Sequence, residues 1–281
     1  MKKLLFILLT VIYLTTSCHN EHAKKDSILK NTSYGNSIRD TVFTVKSIND
    51  TTGILKLCFS PIKILNKKIA VWKPTTDDFF NMPISDDSLC HTKIDTIIKL
   101  LPDKYIILFR TDSYHHNGKI IDCHVCSPDY GIATNKKGDS SYQIMNFKKN
   151  LIAAGSFGNG YDTLSVEDFG KNHKLLMFSS SYTGTSTNTT TNTFFELEYY
   201  TQVFSYCPYR EVGDSSELDE NYSELEQHLI KIPGVEKEDN NDIKLEGTKV
   251  LFDRKTKKIK RIKQIEYYRD DDFGIYSRAL N

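Results

Sequence analysis

The sequence predicts a mainly β protein, an antiparallel sandwich-like or partial-propeller body with one amphipathic helix near residues 216–232. Three observations predict it. Between residues 151 and 206, short apolar, β-branched and aromatic runs (Leu151 to Ala154, Thr163 to Val166, Leu175 to Ser180, Phe194 to Tyr206) alternate with clusters of turn-forming residues. Gly155, Gly158, Gly160 and Gly170 supply much of that punctuation, and each would cost a helix about 1 kcal/mol relative to Ala. Lys104 to Thr111 is near-continuously apolar, the pattern of a buried strand. Leu218, Tyr222, Leu225 and Leu229 fall at three- and four-residue steps. They start after a Ser215-Ser216 cap and stop before Pro233-Gly234, which reads as the helix.

Taken in order, the chain divides into a signal peptide at 1–18, a tether at 19–40, an N-terminal β unit at 41–111, a central β-meander at 112–207, and the helix with a closing hairpin at 208–281. The opening segment has Lys2 and Lys3 ahead of an apolar run from Leu4 to Leu14, then Thr15, Thr16, Ser17 and Cys18. That is the layout of an export signal, and the run is too short for the roughly 20 residues a spanning helix needs. A cysteine directly after such a run resembles the lipidation site of bacterial lipoproteins, although Thr15 stands where that family usually carries Leu. The resemblance implies acylation of Cys18 and attachment to the periplasmic face or surface of a membrane. Two or more acyl chains are what stable anchoring requires. The polar residues that follow lack periodicity and read as a tether.

Within the N-terminal unit, Thr41 to Val45 and Ile54 to Phe59 flank the turn Asn49-Asp50-Thr51-Thr52-Gly53 and read as a hairpin. Trp72, the one tryptophan, is expected in the core rather than in a ligand groove. Lys93 to Leu101 and Lys104 to Thr111 read as strands around Pro102-Asp103. The Thr-, Ser- and Asn-rich stretch from Thr183 to Thr193 reads as a loop tip. Lys249 to Phe252 and Ile259 to Tyr268 read as the closing hairpin, whose basic run from Arg254 to Lys263 suits a solvated edge.

The densest group of chemically versatile side chains is Asp122, Cys123, His124 and Cys126, shortly after His115 and His116. Ser127, not His, follows the second cysteine, so this is not the covalent haem signature. Three readings stand. A local disulfide between Cys123 and Cys126 suits an oxidising exported compartment. A metal site would draw on Cys123, His124 and Cys126 with His115 or His116. A thiol-redox pair would want its first cysteine at a helix N-terminus, which Pro128 and the surrounding strand signals oppose. With Cys18 acylated, five cysteines remain, an odd number, so Cys58, Cys90 and Cys207 cannot all pair with one another. The run Cys-His-Val-Cys-Ser-Pro, followed at a distance by Gly155-Ser156-Phe157-Gly158, is similar to uncharacterised exported bacterial proteins over about a third of the chain. That resemblance implies no activity.

Removing the signal leaves 35 basic against 36 acidic residues, which gives no electrostatic case for a nucleic-acid partner. No nucleophile elbow, metalloprotease helix or phosphate loop occurs in the sequence. The expectation is therefore a membrane-anchored binding or interaction protein of the cell envelope that needs no cofactor, held to the membrane by its lipid and taking a protein or glycan partner. A metal-binding or thiol-redox protein built on the Cys123, His124 and Cys126 cluster is the alternative. Finally, Asp, then Ser or Thr, then an aliphatic residue or Thr recurs at Asp26-Ser27-Ile28, Asp40-Thr41-Val42, Asp50-Thr51-Thr52, Asp87-Ser88-Leu89, Asp95-Thr96-Ile97 and Asp162-Thr163-Leu164. Ordinary residue usage gives about one or two such tripeptides. The pattern resembles the O-glycosylation motif of exported Bacteroidota proteins, which implies Ser27 and Thr41, in the tether region, as acceptors. A turn entering a strand explains the same tripeptide.

Overall fold

The first half of the described chain forms one antiparallel sheet and the second half another. The structure, a computed structural model, describes residues 42–75, 88–114, 127–156, 158–171, 173–184, 186–213, 222–233, 241–253, 258–270 and 276–278. The first sheet holds β1 (Phe43–Val45), β2 (Lys63–Leu65), β3 (Ile69–Trp72), β4 (Leu89–Leu101), β5 (Lys104–Tyr114), β6 (Asp129–Lys137) and β7 (Tyr142–Ala153). Its order is β1-β7-β6-β5-β4-β3-β2, a meander closed at one edge by the first strand. The second holds β8 (Thr163–Asp168), β9 (Lys174–Thr183), β10 (Thr187–Glu196), β11 (Gln202–Val212), β12 (Ser223–Pro233), β13 (Asn241–Asp253), β14 (Lys258–Asp270) and β15 (Tyr276–Arg278), paired in sequence order.

Strand β5 shows why its sequence is almost continuously apolar. Ile107 and Phe109 point to one face and Ile106 and Leu108 to the other, and all four are 0% exposed. The first pair joins Trp72, Ala133 and Phe147 under the only helix among the described residues, α1 (Thr51–Phe59). The second pair joins Tyr130, Ile132, Leu176, Phe178, Phe195 and Tyr200, a core shared between the two sheets. Each such side chain, fully buried, contributes about 1.5–3 kcal/mol. The sandwich-like alternative thus describes the body, with the second sheet curled into a half-barrel; neither sheet is a propeller blade. Trp72 is buried as expected, its indole N–H donating to Thr92 Oγ1 at 2.8 Å. Phe59 packs edge-on against Phe109 and Phe147, with ring centroids 5.1 and 5.3 Å apart.

Three local expectations are overturned. Residues 223–232 of the expected 216–232 helix are strand β12, in register with β13 from Ser223↔Leu251 to Pro233↔Asn241 and with β11 at Tyr209↔Glu226. Leu225 and Leu229 are four apart, which suits one face of a helix and one face of a strand equally. Hydrogen-bonding neighbours on both sides settle it for the strand, a tertiary override of local pattern. Conversely, Ile54 to Phe59 is helical rather than the second arm of a hairpin. Asp50 caps it, Oδ1 accepting from the Gly53 N–H at 2.9 Å. Ile54, Leu55, Cys58 and Phe59 form its buried stripe, and Ser60 ends it in the left-handed conformation. Thr187 to Thr193 lies within β10 rather than at a loop tip. Its hydroxyls line a pleated ladder, where β-branched Thr is favoured. The closing hairpin is present and longer than expected, pairing Ile243↔Tyr268 through Asp253↔Lys258.

Candidate functional site

Every sequence-predicted site residue lies outside the described residues: Cys18, Ser27, Thr41, His115, His116, Cys123, His124 and Cys126. The chain nevertheless fixes where residues 115–126 are attached, between Tyr114 at the end of β5 and Ser127 ahead of β6. The other three cysteines, Cys58, Cys90 and Cys207, are all buried.

A polar cluster stands beside those attachment points. His91 on β4 stacks on Tyr114, ring centroids 3.9 Å apart, and faces Asp112 across the strand pair. Burial, with Lys63 nearby, holds the His91 imidazole below its ordinary pKa, against the opposing pull of Asp112. Arg110 donates to Asp112 Oδ1 from Nη2 at 3.0 Å and from Nε at 3.2 Å. Its Nη2 also donates to the Gly158 carbonyl at 2.7 Å. Tyr161 donates its hydroxyl to Asp95 Oδ2 at 2.7 Å, and its ring tilts against Tyr130 at 5.1 Å. Burial pushes the Tyr130 hydroxyl up to about 12 and raises Tyr161 as well, the latter helped by its bond to Asp95. Gly160 sits so close to Tyr130 that a Cβ there would lie 2.1 Å from the hydroxyl oxygen. With its guanidinium held by a carboxylate and a carbonyl, Arg110 clamps the segment after β7 onto the sheet; it is not an open anion receptor.

The inner face of the curled sheet is different in kind. Lys231 on β12 reaches Glu167 on β8, Nζ to Oε2 3.2 Å, across three intervening strands, and lies 4.6 Å over the Phe169 ring. Phe169 also meets Tyr276 of the last strand at 5.9 Å, and its carbonyl accepts from the Asn241 N–H. Beside them Phe169, Leu175, Phe194, Phe204, Ile243, Leu245 and Tyr276 pack into one buried cluster. Further along the same face the lining turns polar. Asn192, in register with Tyr206, donates Nδ2 to the Tyr206 hydroxyl at 3.1 Å, while its Oδ1 is buried without a hydrogen-bond partner among the described residues. Gln227, two residues from Leu229 on the inner face, is 7% exposed, and its side chain makes no hydrogen bond to any described residue. Opposite it stands Gly247, where a Cβ would fall 1.9 Å from the Glu226 carbonyl oxygen. Only glycine lets the two backbones approach so closely.

These two amides are the functional candidates that sequence reasoning missed. The signal for Gln227 was available in principle, since a polar residue between Leu225 and Leu229 on an inward face is an alternation signal once the segment is read as a strand. Asn192 carried none, being one of several Asn and Thr residues in a uniform stretch. Among the described residues no group of three or more His, Cys, Asp or Glu side chains is placed to hold a metal, and no helix is long and apolar enough to cross a membrane. Comparison with known proteins found no matching family model, no matching curated protein and no matching solved structure.

Proposed function

We propose that this chain is a lipid-anchored binding protein of the bacterial cell envelope, and that the polar half of the curled sheet's inner face receives its ligand, a glycan. The supporting observation for the site is the buried Asn192 Oδ1 that lacks a donor among the described residues, on the same face as the nearly buried Gln227. A buried polar group left unpaired costs about 1–3 kcal/mol, and a ligand hydroxyl placed there would offset it. Mouths of curled or closed sheets are recurrent ligand sites. The neighbouring Tyr206 ring, half-buried and stacked on Phe204 with centroids 5.9 Å apart, supplies apolar surface for the carbon face of a sugar. The anchor rests on Lys2, Lys3, the Leu4 to Leu14 run and Cys18. Palmitate labelling of wild type and Cys18→Ala tests the anchor, and equal labelling of the two would end that part. Thermal unfolding against a panel of envelope oligosaccharides tests the site. A ligand that raises the wild-type melting temperature and fails to do so in Gln227→Leu supports it, and a ligand that stabilises both equally places binding elsewhere.

A further inference from the structure

We infer that the free edge of β14 takes up an extended acidic segment of another protein as one more strand of the second sheet. β14 pairs with β13 along most of its length but with β15 only at Tyr268 to Asp270. Among the described residues nothing pairs with the other edge of Lys258 to Tyr267. That stretch, about 34 Å of backbone, therefore turns one row of N–H and C=O groups outward. Its side chains are open as well: Lys258, Ile259, Lys260, Arg261, Lys263 and Ile265 are all exposed, Ile259 at 45% and Ile265 at 41%. The edge strands of both sheets are blunted by contrast. β1, β2 and β15 are three residues long and β8 is six. The parts of β4 and β7 that outrun their edge neighbours carry register shifts, β4 against β5 and β7 against β6. Short strands and bulges are how sheets keep an edge from recruiting another strand. β14 has neither device: it holds eleven consecutive pairs with β13 without a shift, and it contains no proline.

Charge decides which strand fits. Lys258 to Tyr267 carries four basic residues and one acidic, a net +3. Glu266 is taken by Arg278 at 3.1 Å, and Lys263 by Glu246 of β13 at 2.6 Å. Lys258, Lys260 and Arg261 form no salt bridge among the described residues. Alternation sets Lys258 and Lys260 on one face of the strand and Arg261 and Lys263 on the other, so acidic side chains on either face of an added strand meet two cations. Ile259 and Ile265 share the face of Arg261 and Lys263 and offer apolar contact beside them. A second copy of β14 is disfavoured by the same charges, since like charges across a ladder repel. A phosphate or a lipid headgroup would satisfy the cations but not the backbone, whose alternating donors and acceptors match another extended chain.

Hydrogen exchange of the full-length protein, read by peptide mass, tests this with a short synthetic peptide alternating glutamate and threonine and with its counterpart alternating lysine and threonine. In the protein alone, the outward N–H groups of residues 258–267 exchange fast. The expected result is several-fold slower exchange in this stretch with the glutamate peptide and no change with the lysine peptide, the protection weakening in high salt. The variant carrying Lys258→Glu, Lys260→Glu and Arg261→Glu alters exposed side chains only, and it should reverse the preference so that the lysine peptide protects instead. Unchanged exchange with the glutamate peptide, or protection confined to β4, β7 or β8, overturns the inference. So does a variant that still prefers the glutamate peptide. Slow exchange of the outward amides without any peptide, together with sedimentation as a dimer, assigns the edge to a second copy and overturns the inference as well.

Discussion

Replacing Tyr200 by Phe removes one oxygen from the junction between the two sheets. Tyr200 is 0% exposed in the turn between β10 and β11, and its hydroxyl is hydrogen-bonded to Thr134 Oγ1 of β6, itself 1% exposed. The aromatic ring is retained in the variant, so no cavity larger than the hydroxyl opens; what changes is that Thr134 keeps a buried hydroxyl without this partner. The net bond is worth about 0.5–1.5 kcal/mol and an orphaned buried hydroxyl costs about 1–3 kcal/mol, so the variant is expected to lose about 2 kcal/mol. In a chain of this size that lowers the melting temperature by about 4–8 °C. Thr134→Val strands the Tyr200 hydroxyl in the same way and should cost a similar amount. The double variant replaces both partners with apolar groups and should be destabilised by less than the sum, about 1 kcal/mol, the mark of direct coupling. Urea unfolding followed by fluorescence of Trp72 in the first sheet, and in parallel by circular dichroism of all strands, measures each value. A Tyr200→Phe loss below about 0.5 kcal/mol, or strict additivity in the double variant, would refute the view that this bond joins the sheets.

Three further outcomes are expected. Gly247→Ala places a methyl where the Glu226 carbonyl oxygen lies 1.9 Å away. Because backbone must move, it should destabilise by more than about 2 kcal/mol, and an unfolding midpoint equal to wild type would show that the curl does not depend on this approach. Gln227→Leu should leave the unliganded protein equally or more stable, by up to about 1 kcal/mol, since it removes an unpaired polar group from a nearly buried position; a clear loss of stability would mean that the amide is satisfied in solution. Alkaline pH should destabilise the fold. The Tyr130 hydroxyl is pushed up to about 12 by burial, above its unfolded value of about 10, and burial raises Tyr200 too. A folded pKa above the unfolded one gives stability that is complete below about pH 10 and lost as pH rises through the folded pKa. Urea midpoints that stay flat from pH 9 to 12 would contradict this.

The sequence by itself determined the class of the fold and much of its punctuation. The apolar run at Lys104 to Thr111 had to be covered on both faces, and β5 is; the glycines after Ala154 marked a break between strands, and β7 ends there. These features are legible because they depend on local chemistry, on what a side chain or a missing Cβ permits within a few residues. What the sequence left open was set by partners distant in the chain. Ser223 to Ile232 has leucines spaced for either a helix or a strand, and only β11 and β13 alongside make it a strand. Ile54 to Phe59 is equally ambiguous, and becomes a helix because the sheet face offers one buried stripe and Asp50 supplies the cap. The site followed the same rule. Cys123, His124 and Cys126 stand out in a sequence because their residue types are reactive, whereas Asn192 and Gln227 are ordinary until the strands bury the Asn192 Oδ1 and leave Gln227 only 7% exposed. A polar side chain acquires its energetic meaning from burial and hydrogen-bond supply, and both are properties of the assembled strands rather than of any stretch of sequence.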